Sequence, residues 1–427
     1  MIFEFSVTNF RSFKEKVTLS MVSNKGTEHD SNTFTPEAKG VPSLVNSAVV
    51  YGPNNAGKSN LIKAITAMKV IVLGSAANQR GEHFDVAPFL LDEDTASKPT
   101  EFEIVFISEN VKYQYGFTLD TERVHEEWLF AYPNSRGQKW FHRVYSDKHQ
   151  EEFWKFSDSF QGKKNLWKDS TKKNSLFLST AIQLNSDSLR PVYDWFTDHL
   201  RTTTINGWNE EFSTFLCEQC ESKEKILKFL QAADIDIKDL EVKADKYNIN
   251  SIPDAMPDEF KKFVISELSD KEFKEVKTIR KNKQGNDVYF DFEDESDGTK
   301  KLFSFAGPWL DSLQNGNILC IDEMNNSLHS KIVHYLISLF HDKNINTKNA
   351  QLIFTTHDTS VLNPEIFRRD QIWFCDKNHD RSSILYPLTD FKARKNREDF
   401  SKYYLSGRYG ALPFVNIDFF EELTDGE

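Results

Sequence analysis

Eight residues near the N-terminus have the types and spacing of a phosphate-binding loop. The segment 52–59, GPNNAGKS, fits the pattern of glycine, four residues, glycine, lysine, and serine or threonine. An apolar run at 48–51 precedes it and a helical apolar pattern at 61–68 follows it, so the loop should join a strand to a helix. Backbone N–H groups of such a loop, with the helix N-terminus, bind phosphate oxygens. The sequence predicts a nucleoside triphosphate site contacted by Gly52, Pro53, Asn54, Asn55, Ala56, Gly57, Lys58, Ser59 and Asn60.

Two acidic residues follow a second apolar run and complete the chemistry of this loop. Residues 318–321 look like a buried parallel strand, and Asp322 and Glu323 come directly after it. Such a run is often only structural, but together with the loop it favours catalysis. Lys58 would reach the β- and γ-phosphates, and the Ser59 hydroxyl and Asp322 would hold Mg²⁺, Asp322 through a water. Glu323 would polarise the water that attacks the γ-phosphate.

A histidine follows another apolar strand. His357 comes directly after residues 352–356, which have the sequence LIFTT. A single histidine at a strand end is often a satisfied structural residue. We expect this strand to lie beside the strand of Asp322, which would bring the imidazole to the γ-phosphate as a hydrogen-bond donor. The predicted catalytic residues are therefore Glu323, His357 and Lys58.

The segment 295–299, ESDGT, precedes a predicted helix and has two interpretations. A serine, a spacer and a glycine at a helix start supply a hydroxyl and free N–H groups for an anion. Alternatively, Ser296 or Thr299 is a plain N-cap. The residues alone do not separate these alternatives.

The elements that position these residues indicate an α/β chain. Turn signals separate strand-like runs at 101–108, 111–119, 124–130 and 139–145, which predicts an antiparallel meander. Helical patterns dominate residues 174–270, and the last third returns to alternating strands and helices. We therefore divide the chain into an N-terminal part of the α/β domain at 1–173, a mainly helical insertion at 174–285 and a C-terminal part at 286–427.

Composition restricts the possible partners and location. The 427 residues carry a net charge of −12, which argues against broad nonspecific binding of nucleic acid. The Lys- and Arg-rich segment 271–283 is either a solvated face or a local nucleic-acid contact. Cys217 and Cys220 have zinc-knuckle spacing without a second pair, which favours a helix surface or core over a metal site. We predict a cytoplasmic chain, since we find neither a membrane-length apolar run nor a signal peptide.

The order of these motifs resembles a known group of ATPases. GPNNAGKS, ESDGT, ILCIDEMNNSLH and IFTTHD, in that order, are similar to ATP-binding-cassette (ABC)-type ATPases of the RecF, SMC, Rad50 and OLD group. The closest resemblance is to stand-alone bacterial AAA15-type ATPases, which include abortive-infection proteins. It extends to residues 9–13, NFRSF, and 404–411, YLSGRYGA. The resemblance implies a P-loop ABC-type head with a parallel core sheet, an antiparallel meander and a mainly helical insertion.

The resemblance also implies how such a chain would work. Ser296 and Gly298 would contact the γ-phosphate bound by a second copy, so that a homodimer or higher oligomer encloses two ATP molecules. Arg11 matches the nucleotide-facing arginine of the group. The signature is Ser-Asp-Gly-Thr rather than Ser-Gly-Gly-Gln. The absence of an Asn-Lys-x-Asp motif favours ATP over GTP.

Two functions are compatible with this machinery. The first is an ATPase sensor or clamp in antiphage defence that controls a separately encoded effector, such as a TOPRIM-like nuclease. The roughly seventy residues after His357 are too few for an appended TOPRIM domain, which is why a partner in trans is expected. The second is a RecF- or Rad50-like DNA clamp in repair or replication, against which the acidic charge counts.

Overall fold

The computed structural model describes residues 1–202, 208–246, 272–392 and 398–414. Its strands up to residue 156 are β1 (Ile2–Thr8), β2 (Val17–Ser20), β3 (Thr33–Phe34), β4 (Leu44–Val45), β5 (Ser47–Tyr51), β6 (Thr100–Ser108), β7 (Val111–Leu119), β8 (Val124–Tyr132), β9 (Gln138–Ser146) and β10 (Glu151–Phe156). The later strands are β11 (Leu200–Thr202), β12 (Asp239–Lys246), β13 (Glu272–Lys281), β14 (Asp287–Asp291), β15 (Ile318–Ile321), β16 (Gln351–Thr355), β17 (Ile372–Lys377) and β18 (Ser383–Pro387). The α-helices are α1 (Lys58–Gly74), α2 (Glu93–Ala96), α3 (Lys164–Ser170), α4 (Phe177–Gln183), α5 (Arg190–Asp194), α6 (Glu211–Cys217), α7 (Cys220–Ala232), α8 (Asp297–Asn315), α9 (Ser330–His341) and α10 (Phe400–Leu405).

The first of two compact units contains both large sheets. It consists of Met1–Gly207, Ser312–Asn326 and Val333–Glu427. A seven-stranded antiparallel sheet has the order β10-β9-β8-β7-β6-β1-β2. A six-stranded sheet has the order β11-β15-β16-β5-β17-β18 and is parallel except for the β17–β18 pair. The predicted α/β class, with a parallel core sheet and an antiparallel meander, is confirmed.

Burial along the strands explains why the two sheets could be told apart in the sequence. Buried and half-exposed residues alternate along most of β6 and β8, as expected for a sheet with one covered face. Every residue of β5, β15 and β16 is buried, which gives the continuous apolar runs of a parallel sheet covered on both faces. The four meander strands lie at the strand-like runs that the turn signals separate, with small shifts at their ends.

Helix α1 belongs to the core of the first unit. Among the described residues, the stretch Lys58–Ala77 is long and apolar enough, by length and composition, to cross a membrane. Its Leu61, Ile65 and Met68 are nevertheless buried in one cluster with residues of both large sheets. The apolar stretch is therefore accounted for by core packing.

The second unit contains helices and a small sheet. It consists of Trp208–Asp311 and Ser327–Ile332, and β12, β13 and β14 form its three-stranded antiparallel sheet. The segment 174–285, expected to be mainly helical, thus includes two long strands, while 203–207 and 247–271 lie outside the described residues. In β13, buried Val276 and Thr278 alternate with the charged residues Glu275 and Lys277, a period-2 pattern that the many charges conceal and that ends at buried Ile279. The boundaries of the compact units fall at 207/208 and 311/312, and the expected divisions at 173/174 and 285/286 stay predictions.

Candidate nucleotide-binding site

The strand order of the six-stranded sheet brings most of the predicted site together. β16 lies between β15 and β5, and all three run parallel. The glycine loop follows β5, Asp322 follows β15, and His357 lies two residues beyond β16. Since the carboxyl ends of parallel strands form one edge, these residues share the edge at which open α/β sheets bind ligands.

Two glycines of the loop have no room for a side chain. Gly52 has φ 154°, and a Cβ there would lie 2.1 Å from the carbonyl oxygen of Cys375. Gly57, the residue before α1, has φ 111°, and its Cβ would lie 2.3 Å from Ser383 Oγ and 2.8 Å from Ser12 Oγ. Both positions therefore need glycine, because any other residue would clash with the segments that lie against the loop.

Three of those neighbours hydrogen-bond to the loop and its helix, and sequence reasoning assigned none of them a role. Ser383 Oγ and Cys375 Sγ both donate to the carbonyl oxygen of Ala56, at 2.5 and 3.1 Å. Ser12 Oγ accepts from Asn60 Nδ2 at 2.7 Å. Ser12 lies within the NFRSF motif, whereas Ser383 has no signal in the sequence.

The lysine of the loop is buried beneath the backbone. Lys58 is 5% exposed, and its Nζ donates to the carbonyl oxygens of Gly52 and Pro53 at 2.9 and 3.1 Å. Burial lowers the pKa of Lys58, and Cys375, Glu323 and Asp322 oppose that shift. The ammonium group thus lies inside the loop that would surround the phosphates, with the two carboxylates nearby.

A threonine connects the two acidic residues. Thr355 Oγ1 donates to Asp322 Oδ1 at 2.6 Å and accepts from the backbone N–H of Glu323 at 2.8 Å. Glu323 has φ 49°, in the left-handed region that non-glycine residues rarely adopt and that recurs at functional sites. Thr355 therefore orients the carboxylate of Asp322 and the backbone of Glu323 at once.

The histidine faces the second acid. His357 Nε2 lies 3.6 Å from Glu323 Oε1. Asn325 Oδ1 accepts from Thr356 Oγ1 at 2.8 Å and from the backbone N–H of His357 at 3.4 Å, which fixes the start of this loop. Burial and then Lys58 lower the pKa of His357, and Glu323 opposes them. Burial and Lys58 thus favour the neutral imidazole, which has one N–H to donate.

Arg11 lines a cavity together with two predicted metal ligands. The cavity has a volume of about 340 Å³, and Arg11, Ser59 and Asp322 are among the residues that line it. Arg11 has φ 52°, and its backbone N–H donates to the carbonyl oxygen of Ala87 at 2.8 Å. A hydroxyl and a carboxylate on one cavity fit Mg²⁺, which prefers oxygen ligands and keeps several waters.

The signature residues Ser296 and Gly298 belong to the second unit. Ser296 Oγ accepts from the backbone N–H of Thr299 at 3.2 Å and lies 2.9 Å from its hydroxyl, so the N-cap arrangement is present. A Cβ at Gly298 would lie 3.0 Å from the carbonyl oxygen of Ser327. Ser296 itself is exposed, which leaves its outer side accessible.

Comparison with known proteins identifies a family whose model matches the chain. A family model described as "AAA domain, putative AbiEii toxin, Type IV TA system" matches residues 47–363. No curated protein matches the chain significantly.

Solved structures similar to the chain include three SMC heads. One is the SMC head domain from Thermotoga maritima, with a TM-score of 0.39 and 12% identity over 90% of this chain and 98% of that one. Another is the Smc head domain with an extended coiled coil, bound to the C-terminal domain of ScpA derived from Pyrococcus furiosus, with a TM-score of 0.40 and 13% identity over 90% and 96%. A third is the SmcHead bound to the C-winged helix domain of ScpA, with a TM-score of 0.39 and 12% identity over 92% and 99%.

Proposed function

The chain belongs to the AAA-domain family described above, and from that premise we propose that it is an ABC-type ATPase that binds and hydrolyses ATP with Mg²⁺. The observation that carries the proposal is the meeting of the glycine loop, Asp322, Glu323 and His357 at one edge of the parallel sheet. Phosphoryl transfer needs mainly positioning and charge neutralisation, and this edge offers both.

Each residue of this edge has a distinct role in the proposal. The loop N–H groups and Lys58 bind the phosphates, and Arg11 contacts the nucleotide. Ser59 and Asp322 would hold Mg²⁺, and the ion would supply positive charge beside the phosphate oxygens. Glu323 orients the attacking water, and neutral His357 donates a hydrogen bond to the γ-phosphate.

The site is completed by a second copy of the chain. Ser296 and Gly298 of one copy contact the γ-phosphate held by the other, so that ATP joins two chains and its hydrolysis releases them. The exposure of Ser296 supports this role. Gly298 is required beside it, because a Cβ there would lie 3.0 Å from the carbonyl oxygen of Ser327. The helix start adds N–H groups that favour an anion.

We place this ATP-gated oligomer in cytoplasmic antiphage defence, as a sensor or clamp that controls a separately encoded effector, such as a TOPRIM-like nuclease. The family description names a toxin and a type IV toxin–antitoxin system, which supports a role in a system of more than one gene product.

A DNA clamp has less support, because the basic segment is largely paired within the chain. Four of its cations form ion pairs of 2.5–2.9 Å with carboxylates: Lys274 with Glu218, Lys277 with Asp291, Arg280 with Glu295, and Lys281 with Asp287. Paired cations release few counterions on binding a phosphate backbone.

The decisive experiment follows ATP binding, hydrolysis and oligomeric state in three chains. The parent should hydrolyse ATP and associate when ATP and Mg²⁺ are present. Glu323→Gln should bind ATP, hydrolyse it at least about 100-fold more slowly and remain associated. Ser296→Arg should bind ATP without associating. A Glu323→Gln rate equal to that of the parent would show that Glu323 is not catalytic. A parent chain that neither hydrolyses ATP nor changes its oligomeric state when ATP is added would reject the proposal.

A further inference from the structure

The residue before the signature turn is fixed by a strand of its own unit. Glu295 directly precedes Ser296, and its side chain is only 7% exposed. Arg280 of β13 donates two hydrogen bonds to the Glu295 carboxylate, from Nη1 to Oε1 at 2.5 Å and from Nη2 to Oε2 at 2.8 Å. Thr278 Oγ1 donates to Oε1 as well, at 2.5 Å. The carboxylate is therefore held by three donors from one strand.

The sheet explains why these donors converge. Thr278 and Arg280 are two residues apart on β13, so their side chains leave the same face of the strand. On the neighbouring strand, the ring of Phe290 lies 5.2 Å from the guanidinium carbon of Arg280. A flat guanidinium can stack on a ring and still bind a carboxylate through two N–H groups, which a lysine cannot do.

The turn is held from its other end by the helix. The backbone N–H of Lys300 donates to the carbonyl oxygen of Ser296 at 2.9 Å, and Thr299 contacts the Ser296 hydroxyl. Ser296 thus lies between the anchored carboxylate of Glu295 and the first turn of α8. A change at either anchor would move its hydroxyl.

We propose that Arg280 is a positioning residue for the trans ATP site: through Glu295 it sets the place of the Ser296 hydroxyl that contacts the γ-phosphate held by a second copy. This inference rests on the proposed function and assigns β13, a strand outside the motif set, to the catalytic cycle. In this proposal Arg280 acts through Glu295 and not by contact with the nucleotide.

In the proposed dimer, the signature turn and the glycine loop at one ATP belong to different copies, and the test uses this arrangement. Arg280→Gln should bind ATP as the parent does but hydrolyse it about 10- to 100-fold more slowly, because contacts to developing phosphate charge are misplaced. Mixing it with Lys58→Ala, which lacks ATP binding but has an intact signature turn, should raise the rate above the sum of the two separate rates. In mixed dimers the glycine loop of the first chain meets an intact Ser296.

Two further variants keep the result interpretable. Lys277→Gln removes an ion pair on the same strand, with Asp291, and should leave the rate unchanged. Arg280→Lys keeps the charge but not the two-pronged geometry and should also be slow; it replaces Arg280→Gln if that variant does not fold.

The outcomes separate the two proposals. Absence of hydrolysis and of ATP-dependent association in the parent rejects the proposed function. A parent that shows both, with Arg280 variants that match it, overturns only the role of Arg280. Slow Arg280 variants that the Lys58→Ala chain fails to rescue also overturn it, since the defect would then lie within one copy.

Discussion

Thr355, the last residue of β16, donates a hydrogen bond of 2.6 Å to the carboxylate of Asp322, the first residue after β15. The same hydroxyl accepts the backbone N–H of Glu323, whose left-handed conformation needs a fixed partner. One side chain therefore connects the carboxylate of the proposed metal ligand with the backbone of the proposed catalytic residue.

Replacing Thr355 by valine removes this hydroxyl at nearly constant volume. We expect the ATPase rate of Thr355→Val to fall about 10- to 100-fold, because a hydrogen bond to a charged group contributes about 1.5–3 kcal/mol and about 1.4 kcal/mol is a factor of ten. ATP binding, measured by titration, should change little. Thr18→Val on β2, which loses a hydroxyl contact with Ser6 of β1, is the control. Equal rates for Thr355→Val and the parent would show that Asp322 does not need this donor.

The sequence predicts those parts of this site whose residues are neighbours along the chain. The glycine loop, the strand before it and the helix after it are contiguous, so spacing alone identifies them. The role of Thr355 depends on the pairing of β15 with β16, in which Ile321 faces Phe354, and no local pattern encodes that register. Ser383 contacts Ala56 from 327 residues away and could not be found without the fold.

The second unit shows a different limit of prediction from the sequence. Charged residues are frequent in β13, so the sequence alone does not distinguish a strand from a solvated surface segment. The structure does, because Lys277 and Lys281 form ion pairs with residues of β14. The buried carboxylate of Glu295 explains why Arg280 lies on this strand, but the sequence places the two residues fifteen positions apart with no motif between them.

The packing around Gly57 predicts that the loop does not tolerate a side chain at this position. In Gly57→Ala, the new Cβ would meet Ser383 and Ser12 at less than 3 Å. We expect weaker ATP binding by at least about tenfold and a loss of about 1–3 kcal/mol in the free energy of unfolding, because strain and contact add. The control is Gly285→Ala, where φ is 83° and nothing lies within 4 Å. It should cost about 1–2 kcal/mol and leave ATP affinity intact. A Gly57→Ala chain that binds ATP like the parent would contradict this.

A buried histidine predicts how stability depends on pH. His341 is hydrogen-bonded with Ser47 at 2.8 Å, and burial, with His29 and His334, lowers its pKa to about 3. The unfolded chain takes up this proton near the ordinary pKa of about 6.5. The stabilisation is therefore fully present above about pH 6.5 and is lost as pH falls toward the folded value, by at most about 1.4 kcal/mol per pH unit.

Urea unfolding at about pH 7.5 and about pH 5.5 tests the role of His341. The parent should lose about 1 kcal/mol more between these conditions than His341→Gln, which does not titrate. His379→Gln, at an exposed position, should retain the parental pH dependence. Parallel losses in the parent and His341→Gln would assign the pH effect to other groups.

Substitution of Arg11 should weaken ATP binding without slowing the catalytic step. Arg11 lies on the β1–β2 connection and shares a cavity with Ser59 and Asp322, whereas the residue proposed to orient the attacking water is Glu323. In Arg11→Ala, we expect ATP to bind about 3- to 10-fold more weakly while the maximal rate changes little, because a contact made equally in the ground and transition states affects KM and not kcat. Arg80→Ala, at an exposed arginine, is the matched control and should change neither value. A fall in kcat with unchanged KM would mean instead that Arg11 acts on the transition state, close to the γ-phosphate.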